Sequence, residues 1–161
     1  MAREQPIELF MPPNILKAKA GGGAFSGLDM AAIKRAEAAM EDIKSEFSAW
    51  AAADVEKLMA ARARYAKTPD SASRAALLRA AHDMKGQAAT FNYPMIARVS
   101  GSLSKLIGEL AAESELPLAL VDAHVSAIHV IYRDKVMDES NKIAVALTLE
   151  LEARVAETLT G

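Results

Sequence analysis

Residues 71–91 read Ser71-Ala72-Ser73-Arg74-Ala75-Ala76-Leu77-Leu78-Arg79-Ala80-Ala81-His82-Asp83-Met84-Lys85-Gly86-Gln87-Ala88-Ala89-Thr90-Phe91. Projected at about 100° per residue, this stretch separates into two faces. Leu77, Ala80, Ala81, Met84, Ala88 and Phe91 gather on one side, the arc that an amphipathic helix turns to a core. His82 falls outside that arc, alongside Ala75, Leu78, Arg79, Lys85, Gly86 and Ala89. The pattern therefore predicts a helix that presents its histidine to the open side of a helical bundle.

The flanking sequence extends the same reading. Upstream, Ile33, Ala36, Met40, Ile43, Phe47, Ala51, Val55, Leu58, Ala61 and Tyr65 follow one another at steps of three or four residues from Asp29 on, which predicts one long helix with Trp50 on the flank of its stripe. Thr68-Pro69-Asp70-Ser71 breaks that period and offers Asp70 or Ser71 as the cap of the next helix. Downstream, Asn92-Tyr93-Pro94 places a proline in the first turn of a third helix that runs to about Ala112. After Glu113-Ser114-Glu115-Leu116-Pro117, a fourth helix carries Leu118, Val121, Val125, Ile128, Tyr132 and Val136. A fifth carries Ile143, Leu147, Leu151, Val155 and Leu159 on an i, i+4 row. Short connections make consecutive helices antiparallel neighbours. The expected fold is an all-α, up-down antiparallel four-helix bundle with a long N-terminal helix. Pro12-Pro13-Asn14 and Gly21-Gly22-Gly23 interrupt any helical period before it, so residues 1–28 read as an irregular arm and linker and 29–161 as the helical domain. The arm's Ile7, Leu9, Phe10, Met11, Ile15 and Leu16 suit packing on the bundle or on a partner.

Composition agrees and excludes several classes of function. The 161 residues are 52% hydrophobic but only 5% aromatic, and a chain dominated by strong helix formers has material for one all-helical core. With 19 basic and 21 acidic residues the net charge is -2, which gives no global attraction to nucleic acid or to anionic lipid. The absence of cysteine removes disulfides and thiolate metal sites. No stretch approaches the roughly 18 apolar residues of a membrane span, and the N-terminus does not read as a secretory signal, so a cytoplasmic location is expected. Gly21-Gly22-Gly23 lacks the Lys-Ser/Thr of a phosphate loop. His124 and His129 are five residues apart on one helix, about 140° around it, a poor geometry for a shared metal and better suited to structural roles. No nucleophilic triad, dinucleotide fingerprint, metal site or cofactor site is read.

The chemistry concentrates around His82. An exposed neutral imidazole is a nucleophile, and Lys85 one turn on can act as a point charge beside an imidazole-bound phosphate. Gly86 at i+4 removes the side chain that would stand over the ring, and since a glycine inside a helix costs about 0.5–1 kcal/mol relative to alanine, close approach explains it better than stability does. Asp83 projects to another face. Ala75, Leu78 and Ala89 form a small apolar surface edged by Arg79 and Lys85, the makeup of a transient protein contact.

The run His82-Asp83-Met84-Lys85-Gly86-Gln87-Ala88, followed by Phe91-Asn92, resembles the signature of histidine-containing phosphotransfer domains, roughly H-x-L-K-G-S/A-S/A-x-x-L/F-G. Met95 to Leu106 continues that family's apolar pattern, so the resemblance covers residues 70–112 by motif and the remainder by helical architecture. It implies a phosphocarrier rather than a true enzyme, with His82 phosphorylated at Nε2, Lys85 beside the phosphate, Gly86 as clearance and Met84 in the place of a buried leucine. The implied partners are response-regulator receiver domains and hybrid histidine kinases, the receiver supplying Mg²⁺ and the acidic pocket. Three positions depart from the family pattern. Gln87 stands where a small residue is usual, and Asn92 replaces a glycine at the helix end while keeping tolerance of a left-handed backbone. Ser104 stands where several members place a glutamine against the histidine, so Lys105 or a water is the alternative contact there. With no room for an ATP-binding domain, a stand-alone carrier is expected. The competing reading is a non-catalytic helical adaptor that binds a signalling partner with His82 unmodified.

Overall fold

The computed structural model describes residues 25–161. The arm residues from Ile7 to Leu16 and the side chain of Phe47 lie outside what is described. Among the described residues the chain is all-helical, with α1 Phe25–Lys67, α2 Ser71–Thr90, α3 Pro94–Glu109, α4 Leu118–Arg133 and α5 Lys142–Thr160, and no strand. The first helix begins at Phe25, four residues before the expected Asp29. The chain divides into two compact units, Met1–Asp42 and Ile43–Gly161. In the first, Met30, Ile33 and Met40 of α1 are exposed despite their apolar period. The buried core lies in the second.

There α1 buries Ala51, Val55, Leu58 and Tyr65, the continuation of its predicted stripe, while Ile43 is exposed. Of the two candidate caps for α2, Asp70 is the one used. Its carboxylate accepts from the Ser73 amide at 2.7 Å, and its own amide donates to Ser73 Oγ at 3.1 Å, a reciprocal capping box. The bond from the Ser73 amide, followed by the interaction with the Ser73 side chain, holds the exposed Asp70 carboxyl below the ordinary carboxylate range. At the other end Asn92 adopts φ 60°, the Tyr93 amide donates to Ala88 O at 2.8 Å and the Asn92 amide to Ala89 O at 3.2 Å. This is a Schellman ending, with asparagine in the left-handed position that glycine usually takes.

Helix α3, opened by Pro94, contributes the largest share of the core through Met95, Ile96, Val99, Leu103, Leu106 and Ile107. It stops at Glu109, short of Ala112, because Leu110 turns to extended backbone. The freed carbonyls meet Arg74 of α2, whose guanidinium donates to Ile107 O at 2.8 Å, Leu110 O at 2.6 Å and Ala111 and Ser114 O at 3.0 Å. Helix α4 buries Val121, Val125, Ile128 and Ile131.

The face of α5 differs from expectation at its N-terminal half. Leu151 and Val155 are buried, but their companions are Ala144 and Thr148, while Ile143 is 82% and Leu147 39% exposed. An i, i+4 row advances about 40° per step, so five such residues wind through some 160° and do not share one face. The buried row instead takes steps of four, three and four. Thr148 is accommodated because its hydroxyl donates to Ala144 O at 2.8 Å.

Candidate functional site

The core side of α2 is Leu77, Ala81, Met84 and Ala88, all fully buried, and His82 is exposed as the projection predicts. Its imidazole makes no hydrogen bond among the described residues. The ring opens onto a shallow groove of about 480 Å³ between α2 and α1, lined by His82, Asp83, Gly86, Gln87 and Thr90 on one side and Trp50, Asp54 and Lys57 on the other. Asp83, expected on a different face, opens onto this same groove. At one end Trp50 stacks on Phe91, ring centroids 5.9 Å apart at 24°, which ties α1 to the end of α2.

Gly86 has open space around it. A Cβ built there meets nothing within 4 Å, the His82 ring included. Nothing in the chain's own packing requires the glycine. Thr90 donates to the Gly86 carbonyl at 3.0 Å and keeps that backbone polar group satisfied.

Lys85 lies on the other shoulder of α2. Its stem crosses Gly101 of α3, with Cδ 3.5 Å and Cε 3.6 Å from where a Cβ on that glycine would stand. It lines a second groove with Gly101, Ser102, Lys105, Arg98 and Glu152, and so does not share the groove of His82. Ser104 turns back on its own helix, its hydroxyl donating to Ser100 O at 2.9 Å. Lys105 is exposed in the groove of Lys85. Ala75 and Leu78 line a third depression beside Arg74 and Gly108, whereas Arg79 and Ala89 are simply exposed. Of the residues singled out from sequence, then, only Gly86 and Gln87 join His82 in its groove.

Sequence reasoning misses Asp54 and Lys57. The Lys57 ammonium is 2.9 Å from Asp54 Oδ1, with the lysine side chain 72% exposed and the aspartate 8%. The hydrogen bond that the ammonium donates to Asp54, the charge of that carboxylate and that of Asp83 raise the lysine above its ordinary range. The only linear hint is an aspartate placed between Ala51 and Val55 in a buried run; nothing local connects it with a helix some 25 residues on.

His124 is fully buried between α4 and α3. Nδ1 is 2.8 Å from Leu120 O, which can only accept, so Nδ1 carries the proton and Nε2 accepts from the Ser102 hydroxyl at 3.0 Å. Burial pushes this histidine below its ordinary range. Both nitrogens are occupied, which is the structural role expected of it. Among the described residues no group of three or more His, Asp or Glu side chains is placed to hold a metal ion, and no helix is long and apolar enough to cross a membrane.

No curated protein and no solved structure matches this chain. A model of the Hpt domain family does, over residues 42–157, a span that takes in the whole His82 helix and each side chain of its groove. The chain accordingly belongs to the Hpt domain family, whose phosphocarriers serve histidine phosphotransfer in phosphorelays.

Proposed function

We propose that His82 is the phosphorylated histidine, accepting a phosphoryl group from the phosphoaspartate of a receiver domain and passing it to another. The observation that carries this is the exposed, unbonded imidazole beside a glycine whose missing side chain leaves open space outside the helix. Of the other two histidines, His124 has both nitrogens engaged, and His129 is exposed but lies on α4, away from the family motif.

In the transfer, the imidazole Nε2 lone pair attacks phosphorus while Nδ1 keeps its proton. The N–P bond forms, the P–O bond to the receiver's carboxylate breaks, and the electron pair leaves with that carboxylate. The receiver contributes the acidic pocket and its Mg²⁺; this chain contributes position and charge. Reversal of the same docking passes the group onward. Lys85, Lys105, Ala75, Leu78, Arg79, Gln87, Ala89 and Ser104 are proposed as surface met by receivers and hybrid kinases, spread over the shoulders of α2 and α3 rather than gathered at one point. An up-down course of the helices, an arm over residues 1–28 attached to a domain over 29–161, and a cytoplasmic location belong to the same proposal. The family match lies wholly within 29–161.

The test is incubation with phosphorylated receiver domains. Acid-labile, alkali-stable label is expected on the wild type and absent from His82→Gln. Label that survives in that variant and disappears in His129→Gln overturns the assignment, and a wild type that takes no label from a panel of receivers favours the adaptor.

A further inference from the structure

From the geometry of the groove we infer that Lys57 of α1, held by Asp54, is the cation that meets the phosphoryl group on His82. The inference rests on His82 being the modified residue. Phosphorylation adds a charge of about -1.5 to -2 and three acceptor oxygens. The groove that receives it already holds two carboxylates, Asp54 and Asp83. Lys57 is the one cation among its described lining residues, because Lys85 runs across Gly101 into the groove on the opposite shoulder of α2. Without Lys57, phosphorylation would place like charges together in a confined space.

The position of Lys57 suits that task. Its ammonium carries three donors on a flexible stem and spends one of them, at 2.9 Å, on an aspartate that is itself nearly buried. With the side chain 72% exposed, the remaining donors can turn to phosphoryl oxygens without loss of the anchor. Asp54 is thus a positioning residue: it holds the ammonium at the groove while the histidine is unmodified. Lys85 is left free to face the incoming partner together with Lys105.

The full chain phosphorylated with phosphoramidate, a small phosphodonor for histidine, tests this by ³¹P NMR. The resonance lost in His82→Gln is that of phospho-His82, and its titration midpoint reports the charge beside it. Lys57→Met is expected to move that midpoint up by about one pH unit, the effect of losing one adjacent opposite charge. Lys57→Arg should restore the wild-type midpoint, and Lys85→Met should leave it unchanged. Because Lys57 is exposed, unaltered far-UV circular dichroism is expected for its variants. A wild-type midpoint in Lys57→Met, or the upward move in Lys85→Met instead, overturns the role of Lys57 while leaving His82 in place. A wild type with no resonance sensitive to His82→Gln overturns the assignment of His82 itself.

Discussion

At the scale of single residues, Gly86 is a glycine that the packing of the fold does not demand. It sits inside α2 with nothing within 4 Å of the position a methyl group would take, so Gly86→Ala should stabilise the chain by about 0.5–1 kcal/mol in urea unfolding. The same substitution is expected to slow phosphoryl transfer from a receiver severalfold while leaving labelling by phosphoramidate near the wild-type rate, since only the larger donor needs the clearance. This position, the exposure of His82 and the left-handed Asn92 were all legible in the sequence, because each depends on the period and ending of one helix. The orientation of Lys85 was not. Spacing at i+3 places its Cα beside that of His82, but its stem runs across Gly101 of the next helix, on the other shoulder.

At the scale of elements, Arg74 shows what a period conceals. In sequence it is one cation in the first turn of α2; in the fold its guanidinium closes the end of α3 by donating to the carbonyls of Ile107, Leu110, Ala111 and Ser114. Arg74→Ala should therefore cost about 1–3 kcal/mol in urea unfolding, the range for removing charge-assisted donors from carbonyls at a helix end. Arg74→Lys is expected to recover less than half of that loss, because a point charge does not span several acceptors. The boundaries of α2 were legible from Asp70 and Asn92. The end of α3 and the buried side of α5 were not, since the first depends on an arginine more than thirty residues away and the second on which of two overlapping rows meets α3 and α4.

At the scale of the whole bundle, buried His124 makes stability depend on pH. Folding lowers its pKa below the unfolded value of about 6.5, so the unfolded chain binds more protons as the pH falls through that region. Its stabilising contribution is complete above the unfolded pKa and is lost as pH falls toward the folded one. Urea unfolding of the wild type should show lower stability at pH 5.5 than at pH 7.5. His124→Gln should be less stable at both and show the smaller difference between them; equal slopes for the two proteins would remove His124 as the source. The Arg62–Asp122 and Arg98–Glu152 pairs join α1 to α4 and α3 to α5 through paired hydrogen bonds, but being partly exposed they add direction to the packing more than stability.

The sequence by itself determined that this protein is helical, where most of its helices start and stop, that His82 faces outward and that its surroundings resemble a phosphotransfer motif. These follow from periodicity, capping and backbone preference, which act over one or two turns of a single segment. Only the tertiary structure decided that His82 shares its groove with Asp54 and Lys57 rather than with Lys85, that Ser104 turns inward to its own backbone, and that α5 buries Ala144 and Thr148 in place of Ile143 and Leu147. Each of those outcomes is set by which helix packs against which and at what rotation, a relation between distant segments that no local pattern encodes.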